Sequence, residues 1–360
     1  MEIRDLMVAF NLDNSLSLKQ LYRKFELNLD DDDKDRKLKV CLTEFSKKGL
    51  DVASLKKLER EFKTAEKDKV SIMTVFDDDY PAQLKNIFDP PSVIYVKGKL
   101  YKEDVCPIAI VGSRRASFAG INFSRNLGFS LAMNGITIIS GLARGIDSAA
   151  HKGCLEAGGR TIAVLGSGLG ELYPAMNKQL AEQIGEKGAV ISEFSYFTKP
   201  LAFNFPRRNR VISGLSFAVV VVEAAERSGS LITADLALEQ GREVFAVPGF
   251  ANAPNSKGTN KLIKQGAVLV ESDKDIIDAL PDHIKDKFRQ KEKDFGKEIE
   301  KKLDKEVLNV YNLLTVEPIS VDSICNILNI SVAAVLKNLL DLQLKGLITQ
   351  MPGKVFCRKK

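Results

Sequence analysis

The sequence is short of the residues that build zinc centres and disulfide scaffolds. Its 360 residues hold two histidines and five cysteines, and Cys41, Cys106, Cys154, Cys325 and Cys357 are scattered without CxxC spacing. With only His151 and His283 beside them, no set of zinc ligands assembles from sequence neighbours. Odd, dispersed thiols suit a reducing compartment, so a cytoplasmic protein is expected. Long apolar runs are missing too. The longest, Phe217 to Val222 with Ala224 and Ala225 beyond Glu223, falls far short of the roughly 18 residues a membrane span needs. The opening Met1-Glu2-Ile3-Arg4-Asp5 puts acid ahead of any apolar stretch, unlike a secretory signal. Nucleotide motifs are equally sparse. No GxxxxGK[ST] occurs, which argues against an NTP engine. Gly166-x-Gly168-x-Gly170 misses the dinucleotide spacing, and the helix after it is expected only near Pro174, which argues against NAD. No cofactor is expected.

What remains is an ordinary globular composition, 44% hydrophobic and 28% charged, which excludes a disordered chain and a collagen. At about 100–200 residues per domain, two or three domains are expected. Lysine and arginine total 53 against 47 acids, a net charge of +6. So mild an excess only hints at a polyanionic partner; clustering carries more information.

Residues 1–66 carry helical spacing without strand signals. Leu18, Leu21, Tyr22 and Phe25 lie on one helix face, and Leu50, Val52, Leu55, Leu58 and Phe62 recur more loosely. The acidic run Asp30 to Asp33 reads as a solvated loop. Residues 67–280 alternate short β-branched runs with helical stretches. The runs are Ile72–Val75, Val93–Val96, Ile108–Val111, Ile136–Ile139, Thr161–Leu165, Ala189–Ile191, Ala218–Val222, Val244–Val247 and Ala267–Val270. Runs apolar on both faces predict a parallel sheet covered by helices, a doubly wound α/β domain. Residues 281–306 open on Pro281 and alternate dense charge, which predicts a linker. Residues 307–360 predict three helices, the third capped by Ser331, and a hairpin turning at Pro352-Gly353: a winged helix-turn-helix.

Glycines and arginines follow the strand ends. Val111 runs into Gly112-Ser113-Arg114-Arg115, and Ile139 into Ser140-Gly141-Leu142-Ala143-Arg144-Gly145. Leu165 runs into Gly166-Ser167-Gly168-Leu169-Gly170, and Val222 leads past Glu223 to Ser228-Gly229-Ser230. In an open α/β sheet these loops share the carboxyl edge, where ligands bind, and helix starts there attract phosphate. Any one of these glycines also has a plain reading as a turn. Four such loops on one edge, two of them with arginine, predict a crevice for an anion. The densest basic cluster, Arg207-Arg208-Asn209-Arg210, follows Phe203, Asn204, Phe205 and Pro206, with Lys199 nearby. Rings beside arginines suit single-stranded nucleic acid; the alternative makes Phe203 and Phe205 core residues and the arginines a helix-start surface. No nucleophile–base–orienter set is visible. Asp147 and His151, four apart on a predicted helix, read as a structural pair, and Asp235 and Glu239 as a solvated face.

At these residues the sequence resembles the DNA-processing protein A family (DprA, also called Smf). The resemblance runs over about residues 70 to 280, through Asp79-Tyr80-Pro81, Gly112-Ser113-Arg114, the Ser140 to Asp147 stretch with Ala150-His151, and Tyr173-Pro174. It continues through Ser192-Glu193, Phe205-Pro206-Arg207-Arg208-Asn209-Arg210, Ser228 to Thr233 and Pro248-Gly249. It implies an extended Rossmann-like, mainly parallel sheet flanked by a SAM-like helical domain and a winged helix. It also implies a homodimeric, non-enzymatic protein that binds single-stranded DNA, protects it, and helps load the recombinase RecA during natural transformation. Carried over, Gly112, Ser113 and Arg114 would hold phosphate, and Phe205 with Arg207, Arg208 and Arg210 would line the strand's path. Arg115, Gly141, Arg144, Lys199, Ser228, Gly229 and Ser230 complete the expected site. Relatives often carry lysine where this chain has Ala202, a departure that Lys199 or Arg207 would have to offset.

Two rival readings remain. A Rossmann-like nucleotide phosphoribohydrolase would hold a nucleoside monophosphate on similar loops, but its PGGxGTxxE pattern has no counterpart in Arg227 to Thr233. A duplex-reading transcription factor is poorly equipped, because the third winged-helix segment offers only Lys337 and Lys345 as cations. For assembly, the segment from Asn260 to Val270 predicts a short helix entering the last strand, an edge open to a second chain. Ile263 and Leu269 either form its apolar patch or pack inward; the resemblance to a family of dimers favours the patch.

Overall fold

The computed structural model describes residues 2–14, 16–28, 31–48, 50–102, 104, 106–282, 284–285, 303–315, 319–351 and 355–358. Most of the expected linker, with His283, Asp30 and the Pro352-Gly353 turn, lies outside the described residues. The chain divides into two units, Met1–Leu280 and Pro281–Lys360.

The first unit opens with α1 (Ile3–Asn14), α2 (Leu18–Lys24), α3 (Lys34–Lys48) and α4 (Val52–Lys67). Next come β1 (Val70–Thr74), α5 (Ala82–Lys85), β2 (Val93–Gly98), β3 (Ile108–Val111), α6 (Phe118–Met133), β4 (Ile138–Ser140) and α7 (Ile146–Glu156). The chain continues through β5 (Thr161–Val164), α8 (Lys178–Lys187), β6 (Ala189–Ser192), α9 (Asn204–Leu215), β7 (Ala218–Val221) and α10 (Gly229–Glu239). It closes with β8 (Glu243–Ala246), α11 (Lys257–Lys264), β9 (Val268–Leu269) and α12 (Asp273–Asp278). The nine strands form one sheet in the order β1-β2-β6-β5-β4-β3-β7-β8-β9. From β3 the chain winds outward through β4, β5 and β6, then returns beside β3 with β7 and winds the other way. The switch point therefore lies between β3 and β7.

Strands β3 to β7 are buried along their whole length, as a sheet covered on both faces requires. The sheet is mainly parallel, with one antiparallel side: β1 pairs antiparallel with β2, and β2 antiparallel with β6. The cue was in β1, where Ser71 is exposed between buried Val70 and Ile72, the alternation of an outer strand.

The four N-terminal helices belong to the same compact unit as the sheet. Leu6, Met7, Leu21, Leu38 and Leu42 share one apolar core with Val93, Ile94 and Tyr95 of the sheet. Polar ties reinforce that packing. Asn11 donates to the Glu193 carbonyl at 3.1 Å, and the Glu61 carboxylate of α4 accepts the Tyr196 N–H at 2.6 Å. Burial pushes the Glu61 carboxyl above its usual range.

The second unit holds α13 (Lys305–Leu313), β10 (Ile319–Ser320), α14 (Val321–Leu328), α15 (Val332–Leu344), β11 (Ile348–Met351) and β12 (Val355–Arg358). The strands form a sheet in the order β10-β12-β11 beside the three helices, a winged helix. Ser331 caps α15, its hydroxyl accepting the Ala334 N–H at 3.3 Å. Among the described residues no group of three metal-ligating side chains gathers, and no single helix is long and apolar enough to cross a membrane.

Candidate nucleic-acid interface

A cleft of about 820 Å³ opens on the carboxyl edge at the switch point. Its walls are the loop after β3 (Gly112, Ser113, Arg114, Arg115), the loop after β7 with the start of α10 (Ser228, Gly229, Ser230), and the start of α9 (Phe205, Arg208, Asn209). A smaller hollow of about 200 Å³ is bounded by several of the same residues and adds Gly141 and Arg144. Eleven expected site residues thus meet around one opening. Lys199, Arg207 and Arg210 do not line it.

The expected cradle of backbone N–H groups is largely spent on the chain itself. The Ser113 N–H donates to the Glu223 carbonyl at 2.8 Å. The Gly141 and Ala143 N–H groups donate to the Asp147 carboxylate at 3.1 and 3.3 Å. At the start of α6, the Glu223 carboxylate accepts the Ser117 N–H at 2.9 Å and its hydroxyl, filling the place a phosphate would take. Two helix starts are therefore already supplied with an anion. The start of α10 is not: its first turn has no acid, and the space around the Gly229 Cα is open. Arg114 also sits differently from expectation. It lies in a turn ahead of the Ser117 cap rather than at the helix start.

The positive charge comes from side chains. Arg114, Arg115 and Arg144 are exposed, and their guanidinium groups have no hydrogen-bond acceptor among the described residues. The Arg114 guanidinium stands 4.8 Å from the Phe205 ring centroid, and the Tyr173 and Phe205 rings lie 5.7 Å apart. Phe205 is half-buried, whereas Phe203 is exposed, so neither is a core residue. Glycine at 166 makes room for this ring: a Cβ there would stand 2.7 Å from Phe205. Gly145, at φ 78°, lets the start of α7 pass against Ser113, whose carbonyl accepts the Ile146 N–H at 3.3 Å.

The Arg207–Arg210 cluster is bonded largely within the protein itself. Arg208 is 4% exposed and donates to the Gly141 carbonyl at 2.8 Å, to the Val164 carbonyl, and to Asn209 at 3.2 Å. Arg210 is buried, paired with the Glu193 carboxylate and donating to the Asp89 carbonyl at 2.6 Å. Arg207 pairs with the same carboxylate at 3.1 Å. These arginines tie α9 to the strand ends. Of the three, Arg208 also lines the cleft.

Burial raises the Asp147 carboxyl, while Arg208 and the two backbone donors pull it back down. Burial pushes Arg208 down to about 10, with Asp147 opposing. His151 does not bond Asp147. Its Nδ1 lies 2.6 Å from the Thr161 hydroxyl, which donates to the Ile138 carbonyl, so Nδ1 carries the proton. Burial, with Arg208 adding, pushes His151 down to about 3, so it is neutral and out of reach of the cleft. Sequence reasoning missed Tyr173 and Asn255 as cleft residues. The Tyr173-Pro174 dipeptide was a visible signal, but nothing in sequence brings it beside Phe205.

Leu269 is 43% exposed on β9, the outer strand. Ile263 is half-buried against the main core, so it contributes less surface than expected.

Comparison with known proteins follows the same lines. The chain is 43% identical over 282 residues to Protein Smf of Escherichia coli (strain K12), covering 76% of this chain and 74% of that protein. It is 44% identical over 209 residues to DNA processing protein DprA of Streptococcus pneumoniae, covering 58% and 74%. The crystal structure of DNA processing protein A from Streptococcus pneumoniae superposes with a TM-score of 0.63 at 35% identity, over 78% of this chain and 99% of that one. DNA processing protein A from Helicobacter pylori, a protein with a single-stranded DNA binding mode, gives 0.52 at 27%, over 63% and 97%. Residues 298–354 match the DprA winged helix domain, and residues 71–281 match DNA recombination-mediator protein A. With that match spanning the whole sheet and its cleft, the chain belongs to the DNA recombination-mediator protein A family.

Proposed function

We propose that this protein binds single-stranded DNA across the switch-point cleft, protects it, and helps load RecA onto it during natural transformation and homologous recombination. It works as a cytoplasmic homodimer and not as an enzyme. The observation that carries the reading is three exposed arginines, Arg114, Arg115 and Arg144, around the Tyr173–Phe205 ring pair. Cations beside rings suit a strand whose phosphates pair while its bases stack. The single-stranded DNA binding of the Helicobacter pylori relative supports it. The non-catalytic part rests on the acid inventory of the cleft. Among the described residues the one carboxylate lining it, Asp147, is buried on its own backbone donors. Glu223 is held by Ser117 and Asn255.

Binding of single- and double-stranded oligonucleotides measured side by side tests the reading, with RecA assembly on the bound strand as the second measurement. Preference for the single strand and faster RecA assembly are expected. Equal binding of duplex, or release of free base from AMP or CMP, would contradict it.

A further inference from the structure

Four phenylalanines of the first unit stand out by exposure, and one of them, Phe88, is covered by the Lys19 ammonium 3.4 Å from its ring centroid. The other three, Phe118, Phe203 and Phe250, all belong to loops or helix starts on the carboxyl edge that carries the cleft. Phe118 and Phe250 are 80% and 89% exposed, and both sit on firmly tied backbone. Phe118 follows the Ser117 cap that Glu223 clamps. Phe250 follows Gly249, whose N–H and carbonyl both bond the Asn260 side chain, at 3.2 and 2.9 Å. The Phe250 carbonyl also accepts the Ala253 N–H at 3.0 Å.

Hydrogen bonds join these two turns to the cleft wall. Asn255, a cleft residue, donates to the Arg115 carbonyl at 2.9 Å and to the Glu223 carboxylate at 3.3 Å. Its own carbonyl accepts the Ala224 N–H at 2.7 Å. Arg115 of the cleft wall is exposed, as are Arg227 in the loop after β7 and Lys257 at the start of α11, with the acid Glu226 exposed beside Arg227. Large rings held out in water on the edge that carries the exposed Arg115 suit a flat, anionic partner.

We propose that Phe118 and Phe250 form a second stacking platform, taking nucleotides of the bound single strand after it leaves the Tyr173–Phe205 pocket past Arg115. This rests on the single-strand reading above. The strand then crosses the whole switch point, and affinity rises with its length beyond what the central pocket accommodates.

The test compares oligothymidylates of about six and about twenty nucleotides on the full chain by fluorescence anisotropy. The double variant Phe118→Ala with Phe250→Ala should lose at least about thirty-fold affinity for the long strand and stay within about two-fold for the short one, because each ring gives up a stacked base. Phe118→Tyr with Phe250→Tyr should restore long-strand binding, because tyrosine keeps the stacking face. Unchanged long-strand affinity, or an equal loss on both lengths, would overturn the platform. So would a change of oligomeric state in light scattering, which would make a second copy of the chain the occupant. Failure of the wild type to bind either length would instead sink the single-strand reading itself.

Discussion

The start of α9 and the loops around the cleft rim each carry three arginines, and the two sets do opposite work. Arg207, Arg208 and Arg210 are spaced along one helix turn and are bound to Glu193, Asp89 and strand-end carbonyls. Arg114, Arg115 and Arg144 are dispersed in sequence, yet they converge on one opening with no acceptor among the described residues. A buried guanidinium is retained because its charge is opposed and most of its donors are bonded. An exposed one is left for a ligand. Density of positive charge along the chain is therefore a poor guide to where a polyanion binds.

The largest expected effect separates the sets by stability. Arg210→Ala leaves the Glu193 carboxylate buried with Arg207 alone, and should cost about 3 kcal/mol in urea unfolding. Arg144→Ala should stay within about 0.5 kcal/mol, as exposed substitutions do. Equal losses would break the comparison.

Phe205→Ala sharpens it from the ring side. Single-strand affinity should fall by about 1–3 kcal/mol, because a base loses its stacking face. Melting temperature should fall only modestly, since the ring is half-buried. A large thermal loss with intact binding would return Phe205 to the core.

The buried imidazole of α7 should show itself in pH. His151 is held down to about 3 when folded, against about 6.5 when unfolded. The unfolded chain therefore binds the extra proton, and this contribution is fully present above pH about 6.5 and declines toward pH about 3. Between pH 7 and about 5.5 the wild type should lose about 1.4 kcal/mol more than His151→Gln. Parallel pH profiles would mean the imidazole is not sealed from water. The smallest effect belongs to the winged helix. Lys337→Gln should leave single-strand affinity within about two-fold, because α15 exposes Val332, Leu336, Leu340 and Leu344 rather than a row of cations. A ten-fold loss would move the DNA site to that helix.

The doubly wound sheet and the winged helix were legible because buried parallel strands read as continuous Val/Ile runs and because Ser331 caps a periodic helix. The antiparallel side was harder to read, since a strand's direction follows from which neighbour it finds. Residues on the β3 and β7 loops were found because topology alone puts them on one edge. Which arginines are exposed was not legible: Glu193 and Asp89 lie 17 and 121 residues before Arg210, a partnership only the fold creates. Tyr173 was missed for the same reason.

Salt dependence of single-strand binding tests the division most directly. Wild type, Arg114→Ala and Arg207→Ala would be titrated side by side from about 50 to about 200 mM salt. Losing a phosphate contact should flatten the slope of log affinity against log salt by about 0.7 in Arg114→Ala and leave it unchanged in Arg207→Ala. An unchanged slope in Arg114→Ala, or an equal flattening in Arg207→Ala, would contradict the assignment of the rim arginines as the DNA contacts.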